Sequence, residues 1–124
     1  MSENKVYKLG ITHGDLNGVG YEVIIKSLCD NKIMELCTPV VYGLSKVSSF
    51  YRKNLDMQDF TFQFIKNAEQ ANSKKPSLIN LYEEEVKVEV GTSTKIAGQM
   101  AERALYAAGR DLKNKQIDAI VTAP

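Results

Sequence analysis

Gly14, Gly18 and Gly20 are spaced four and then two, with Asp15 inside the run and Glu22 just past it. Glycine is useful where the backbone must take a positive φ, or where a ligand must approach without a Cβ in the way. A helix predicted from Tyr21 onward would aim its unpaired N–H groups and the positive end of its dipole at the same place. Such a turn can seat a phosphate or the edge of a cofactor. The carboxylates pull the other way: Asp15 repels phosphate, yet suits a cap, a ribose hydroxyl or a bound cation. The common nucleotide motifs do not fit. A P-loop needs a lysine after its last glycine, and Gly20 is followed by Tyr21 and Glu22, which also removes the basis for a P-loop hydrolase. The dinucleotide fingerprint fails at its third glycine, because Gly18-Val19-Gly20 runs on into Tyr21-Glu22-Val23. On residue types alone the turn reads as structural as readily as ligand-facing.

The remaining reactive side chains are few. His13 is the sole histidine, and Cys29 and Cys37 are the two cysteines. A structural zinc needs about four such ligands, so these three cannot cage one. A lone histidine in a turn reads as a surface or packing residue rather than a metal ligand. No charged and apolar leader opens the chain, so two buried thiols in a reducing cytoplasm are expected rather than a disulfide. With 16 Lys and Arg against 15 Asp and Glu, the chain lacks the cation excess of a phosphate-tracking surface, which argues against nucleic acid. Its apolar runs are a few residues long, far short of the ~20 of a membrane-spanning helix. A length of 124 residues suits one domain, 1–124, with no internal boundary.

The elements that must position the turn follow from periodicity. Val6 to Thr12 alternates as a strand, and Tyr21 to Cys29 reads as a helix with Val23, Ile24 and Leu28 on one face. Pro39 to Gly43 is a short apolar strand, followed by a helix capped by Ser45 and running to about Asn54. Phe60 to Ile65 reads as a half-buried strand whose Phe60, Phe62 and Phe64 share the core face. Asn72 to Pro76 is an exposed loop, Ser77 to Leu81 another strand, and Glu83-Glu84-Glu85 a solvated turn. A long helix capped by Thr92 or Ser93 runs to about Leu112. Its stripe of Ile96, Ala97, Met100, Ala101, Ala104, Leu105, Ala108 and Leu112 is expected to be buried, with Met57 and Met100 as gap fillers. Arg103 and Arg110 share an exposed face of that helix. Gln116 to Pro124 closes as a strand. Strands alternating with helices imply an α/β layered fold with a substantially parallel sheet. A strand that stops where such folds bind ligands suggests the front portion of a larger protein, and uncovered apolar surface there predicts self-association.

The whole string from Thr12 to Glu22 resembles the opening signature of the 4-hydroxythreonine-4-phosphate dehydrogenases, T-x-G-D-x-x-G-(I/V)-G-x-E. Val121-Thr122-Ala123-Pro124 is similar to that family's second signature, preceded by the same alanine-rich helix. The resemblance covers essentially the whole chain and about the first third of a typical member. His13 stands where methionine is common, and Leu16 and Tyr21 replace the usual prolines.

That resemblance implies part of an isocitrate and isopropylmalate dehydrogenase-like fold, a homodimer, and a role in pyridoxal phosphate biosynthesis. It implies NAD or NADP and a divalent metal as cofactors, and a phosphorylated amino acid, 4-phosphooxy-L-threonine, as substrate. The family's metal-binding histidines lie beyond this stretch, so no catalytic and no metal residue is assigned to the chain, which is expected to be inactive alone. Thr12, Gly14, Asp15, Gly18, Gly20 and Glu22 are carried over as cofactor-binding residues; Thr122 and Pro124 are carried over as residues of the second motif, with no role assigned. The alternative is a self-contained α/β binding or assembly module without catalysis.

Overall fold

The computed structural model describes residues 6–72 and 74–124. The elements run β1 (Tyr7–Thr12), α1 (Gly20–Leu28), α2 (Asn31–Leu36), β2 (Cys37–Gly43), α3 (Ser45–Asn54), β3 (Gln63–Ile65), β4 (Ser77–Asn80), α4 (Lys95–Lys113) and β5 (Ala119–Thr122). Among the described residues the strands form one five-stranded sheet in the order β3-β4-β2-β1-β5. Every pairing is parallel, as the alternation of strands and helices requires.

Successive residues of β2 divide the core. Val41 faces Ile24, Ile25 and Leu28 of α1, Val47 and Tyr51 of α3, and Leu78 of β4. Its neighbours Val40 and Tyr42 face Ala104 and Ala108 of α4 and Ile117 before β5. The sheet therefore has helices on both faces, and β1 and β2 at its centre are buried between them. Each fully buried Val, Leu or Ile contributes roughly 1.5–3 kcal/mol relative to exposure. The alanines of α4 let that helix lie close to the strands. Tyr42 reaches from the sheet to the last turns of α4, where its hydroxyl donates to Asp111 Oδ2 at 2.7 Å. Burial and that carboxylate together hold the phenol protonated.

Several local expectations are corrected. Val23 is 46% exposed, and the buried face of α1 is Tyr21, Ile24, Ile25 and Leu28. The sheet strand begins at Gln63, after Phe62, so the alternation is out of phase with the aromatic run: Phe62 and Ile65 are buried while Phe64 is 58% exposed. Phe60 and Phe62 instead meet edge to face. β3 is one of the two outer strands, and its Phe64 face is left largely uncovered. On α4 the buried residues are Ala97, Met100, Ala104 and Ala108, whereas Leu105 and Leu112 turn outward beside Tyr106, which is 76% exposed. Cys29 is exposed and Cys37 half-buried, so neither thiol belongs to the core. The α2 turn was not expected; Asp30 caps it by accepting from Lys32 N at 2.9 Å.

Capping residues also shift. Ser45 opens α3 without a side-chain cap bond, because Leu44 occupies the cap position and Ser45 N donates to Asn80 Oδ1. The cap of α4 is Thr94, one residue past the expected pair, its hydroxyl accepting from Ala97 N at 3.2 Å. Thr94→Ala is expected to lower stability by about 1–2 kcal/mol in urea denaturation, with amide protection lost first in the opening turn of α4.

Candidate functional site at the carboxyl edge of the sheet

The chain climbs β2, β3 and β4 on one side of β1 and returns to its other side with β5. In open parallel sheets the place where the order reverses is where ligands enter, outside the carboxyl ends of the strands. In this molecule that place lies between the ends of β1 and β5, and the glycine turn and the Thr122-Ala123-Pro124 segment occupy it together.

Their main chains interlock. Ala123 N donates to Thr12 O at 3.0 Å, Asp15 N donates to Pro124 O at 3.3 Å, and His13 N donates to Tyr42 O at 3.2 Å. Gly14 takes a left-handed φ of 69°, and a Cβ there would stand 2.4 Å from both Ala123 O and Pro124 O. A Cβ on Gly20 would lie 2.5 Å from His13 O and 2.9 Å from Pro124 O. These two glycines are thus demanded by the approach of the chain to itself. Gly18 differs, since a Cβ there meets nothing closer than Asp15 O at 3.5 Å, an ordinary contact. The chain's own packing makes no demand for a bare Cα at Gly18.

The other sequence-derived residues divide in the same way. Thr12 is buried and paired in register with Thr122 across β1 and β5. Asp15 is exposed; its Oδ1 accepts from Asn17 N at 2.9 Å while its carbonyl accepts from Gly18 N, which folds the turn into a compact loop. Glu22 points along the helix to Lys26 at 3.1 Å, a solvated pair of little energetic weight. Thr122 and Pro124 are exposed. Among the described residues no three His, Cys, Asp or Glu side chains gather as a metal site would need.

His13 is fully buried, and of its two expected places it takes the packing one. The ring lies between Tyr21 and the Met100 carbonyl. Tyr21 stacks on Tyr51, with ring centroids 5.5 Å apart, and Tyr51 donates its hydroxyl proton to Leu16 O. Arg103 reaches Leu81 O and lies over the Tyr82 ring, so it is tied to its own chain; Arg110 stands beside Asp111.

Asn17 is the residue that sequence reasoning passed over. It is buried, and its amide donates to Thr92 O at 3.0 Å and to the Thr94 hydroxyl at 3.1 Å. Its Oδ1 accepts from Glu89 N at 2.8 Å, and its carbonyl accepts from Gly91 N at 2.8 Å. One turn residue thereby pins the segment that leads into α4. An Asn flanked by Leu16 and Gly18 carries a turn signal, but nothing local names those partners.

The all-parallel sheet, helices on both faces and a glycine turn at the reversal point define an α/β protein of the doubly wound kind. A family model described as "Pyridoxal phosphate biosynthetic protein PdxA" matches residues 35–124. The chain belongs to the PdxA family. The matched range contains the second signature; the first lies upstream of it, within a whole-chain alignment to a 4-hydroxythreonine-4-phosphate dehydrogenase of Bacteroides thetaiotaomicron at 45% identity. A Sulfurihydrogenibium protein of the same name is 35% identical over 118 residues. The chain spans about a third of the length of these curated relatives, 34% and 35% respectively. The crystal structure of a 4-hydroxythreonine-4-phosphate dehydrogenase from Burkholderia phymatum superposes with a TM-score of 0.90 at 30% identity, over 98% of this chain and 37% of that one.

Proposed function

We propose that these residues form the amino-terminal third of an NAD-dependent, divalent-metal-dependent dehydrogenase acting on 4-phosphooxy-L-threonine. The product would be 2-amino-3-oxo-4-phosphooxybutanoate, whose carbonyl, β to the carboxylate, makes loss of carbon dioxide to 3-amino-2-oxopropyl phosphate easy. The observation that carries this reading is the family match joined to 45% identity along the whole chain. Relatives from Clostridium botulinum at 30% identity carry the name of a D-threonate 4-phosphate dehydrogenase, so that compound is the natural competitor substrate in the assay.

Oxidation of such an alcohol calls for a cation to polarise its oxygen and a nicotinamide to take the hydride. The described residues do not fit a metal centre, and no step is assigned to one on them. Their part is scaffold and cleft wall. Asp15 is exposed at the reversal point with Oδ1 already engaged by Asn17 N, beside the bare Cα of Gly18 and ahead of the α1 amino terminus. That arrangement suits the edge of a nucleotide, with Asp15 accepting a ribose hydroxyl. The exposed Tyr106 and Val121 offer apolar surface that further protein would cover, as a homodimer would.

In a protein of the family's full length carrying this segment, Asp15→Ala is expected to raise the KM for NAD about fivefold, the weight of one hydrogen bond, with folding intact. Unchanged KM and kcat would remove Asp15 from the cofactor site. The 124-residue chain by itself should reduce no NAD when given substrate and a divalent ion; turnover by it alone would overturn the scaffold reading.

A further inference from the structure

The His13 ring joins four segments. Its Nε2 stands 2.9 Å from Met100 O on α4, and its Nδ1 stands 2.7 Å from the Tyr21 hydroxyl on α1. A carbonyl can only accept, so Nε2 carries the proton and Nδ1 accepts from Tyr21. The Tyr21 oxygen accepts in turn from Leu44 N at 2.9 Å, at the junction of β2 and α3. Gly43 makes room for the pair, because a Cβ there would fall 2.5 Å from the Tyr21 hydroxyl. The bonds run in one direction: Leu44 N–H to Tyr21, Tyr21 O–H to His13, His13 N–H to Met100. They demand a neutral ring in the Nε2–H form.

We propose that His13 is an acid-sensitive latch between α4 and the glycine turn, closed while Nδ1 accepts from Tyr21 and opened when a proton at Nδ1 turns that acceptor into a donor. Once the ring is protonated, Tyr21 would face two donors, His13 and Leu44, and its own proton would lose its acceptor in a site closed to water. The groups around the ring offer a cation little relief. The turn contributes Asp15, whose exposed carboxylate attracts only through solvent; α1 contributes Tyr21, α3 contributes Tyr51 stacked behind it, and α4 presents the uncharged Met100 carbonyl. Burial accordingly moves the His13 pKa below its usual 6.5, outweighing the Met100 and Asp15 contributions. An unfolded chain takes up this proton near 6.5 and the folded chain only at lower pH. The stability contributed by the neutral ring is complete above pH 6.5, and it declines as the pH falls from there through the folded-state pKa.

The test follows the imidazole nitrogens and the Leu44 amide of the 124-residue protein by NMR between pH 8 and 4. The Nε2–H form should persist below pH 6.5. Leu44 exchange, corrected for its intrinsic pH dependence, should then rise at least about tenfold as the ring titrates, the weight of about one hydrogen bond. His13→Gln supplies one donor and one acceptor but does not titrate, so protection at pH 7.5 should remain and the acid-triggered rise should vanish. Tyr21→Phe keeps the titrating ring but not the relay, and Leu44 should exchange freely at every pH. Constant Leu44 protection through the wild-type titration, or the same rise in His13→Gln, would overturn the latch. If His13→Gln does not fold, the wild-type titration decides alone.

Discussion

Gly14→Ala should cost at least about 3 kcal/mol of folding stability in urea denaturation, while Gly18→Ala four residues on should stay within about 0.5 kcal/mol of wild type. At position 14 two effects add. The left-handed backbone is unfavourable for any residue with a Cβ by roughly 1–2 kcal/mol. The added methyl also meets two main-chain oxygens, those of Ala123 and Pro124, which cannot rotate away like side-chain tips. Relief requires β5 to shift on β1, at the cost of bonds such as Ala123 N to Thr12 O. Equal effects at 14 and 18 would mean that the interlock of the two signatures is not what the glycines secure.

A comparable loss, about 3 kcal/mol, is expected for Asn17→Ala. Three side-chain hydrogen bonds vanish in a buried site, each with a net weight of about 1 kcal/mol, and the Glu89 amide and Thr92 carbonyl are left without their partner. Asn17→Asp should do at least as much harm despite equal size. Its carboxylate has no N–H to offer and would be held against the Thr92 carbonyl. Hydrogen exchange should localise the damage to residues 89–97. A uniform fall in protection would indicate that Asn17 serves the global core instead.

The parts of this molecule that sequence made legible are those governed by period and by turn chemistry. Alternating and short apolar runs located all five strands, and strand, glycine turn and helix placed the candidate site at the carboxyl edge. What stayed hidden depends on residues distant in the chain. Nothing near Asn17 announces Thr92 and Thr94, and nothing near His13 announces Met100. Phase errors arose where two signals overlapped. The Phe60-Phe62-Phe64 spacing pointed to one buried face, but sheet pairing starts only at Gln63, and β3 as an edge strand buries Ile65 and leaves Phe64 open. Leu105 and Leu112 fit a helical stripe by spacing, yet the face pressed on the sheet is the narrower one of Ala97, Met100, Ala104 and Ala108. Sequence shows the glycines as a group, and the fold separates Gly14 and Gly20, which the chain itself requires, from Gly18.

The placing of β5 against β1 bears on how the protein is made. Lys8 and Asp118, 110 positions apart, bond to each other where those strands begin to pair. During synthesis β1, β2 and β4 can associate early, but one side of β1 has nothing to bind until residues 119–122 leave the ribosome. Until then β1 is an open outer edge of the growing sheet, and the yield in cells should depend on chaperone supply more than the final stability would suggest.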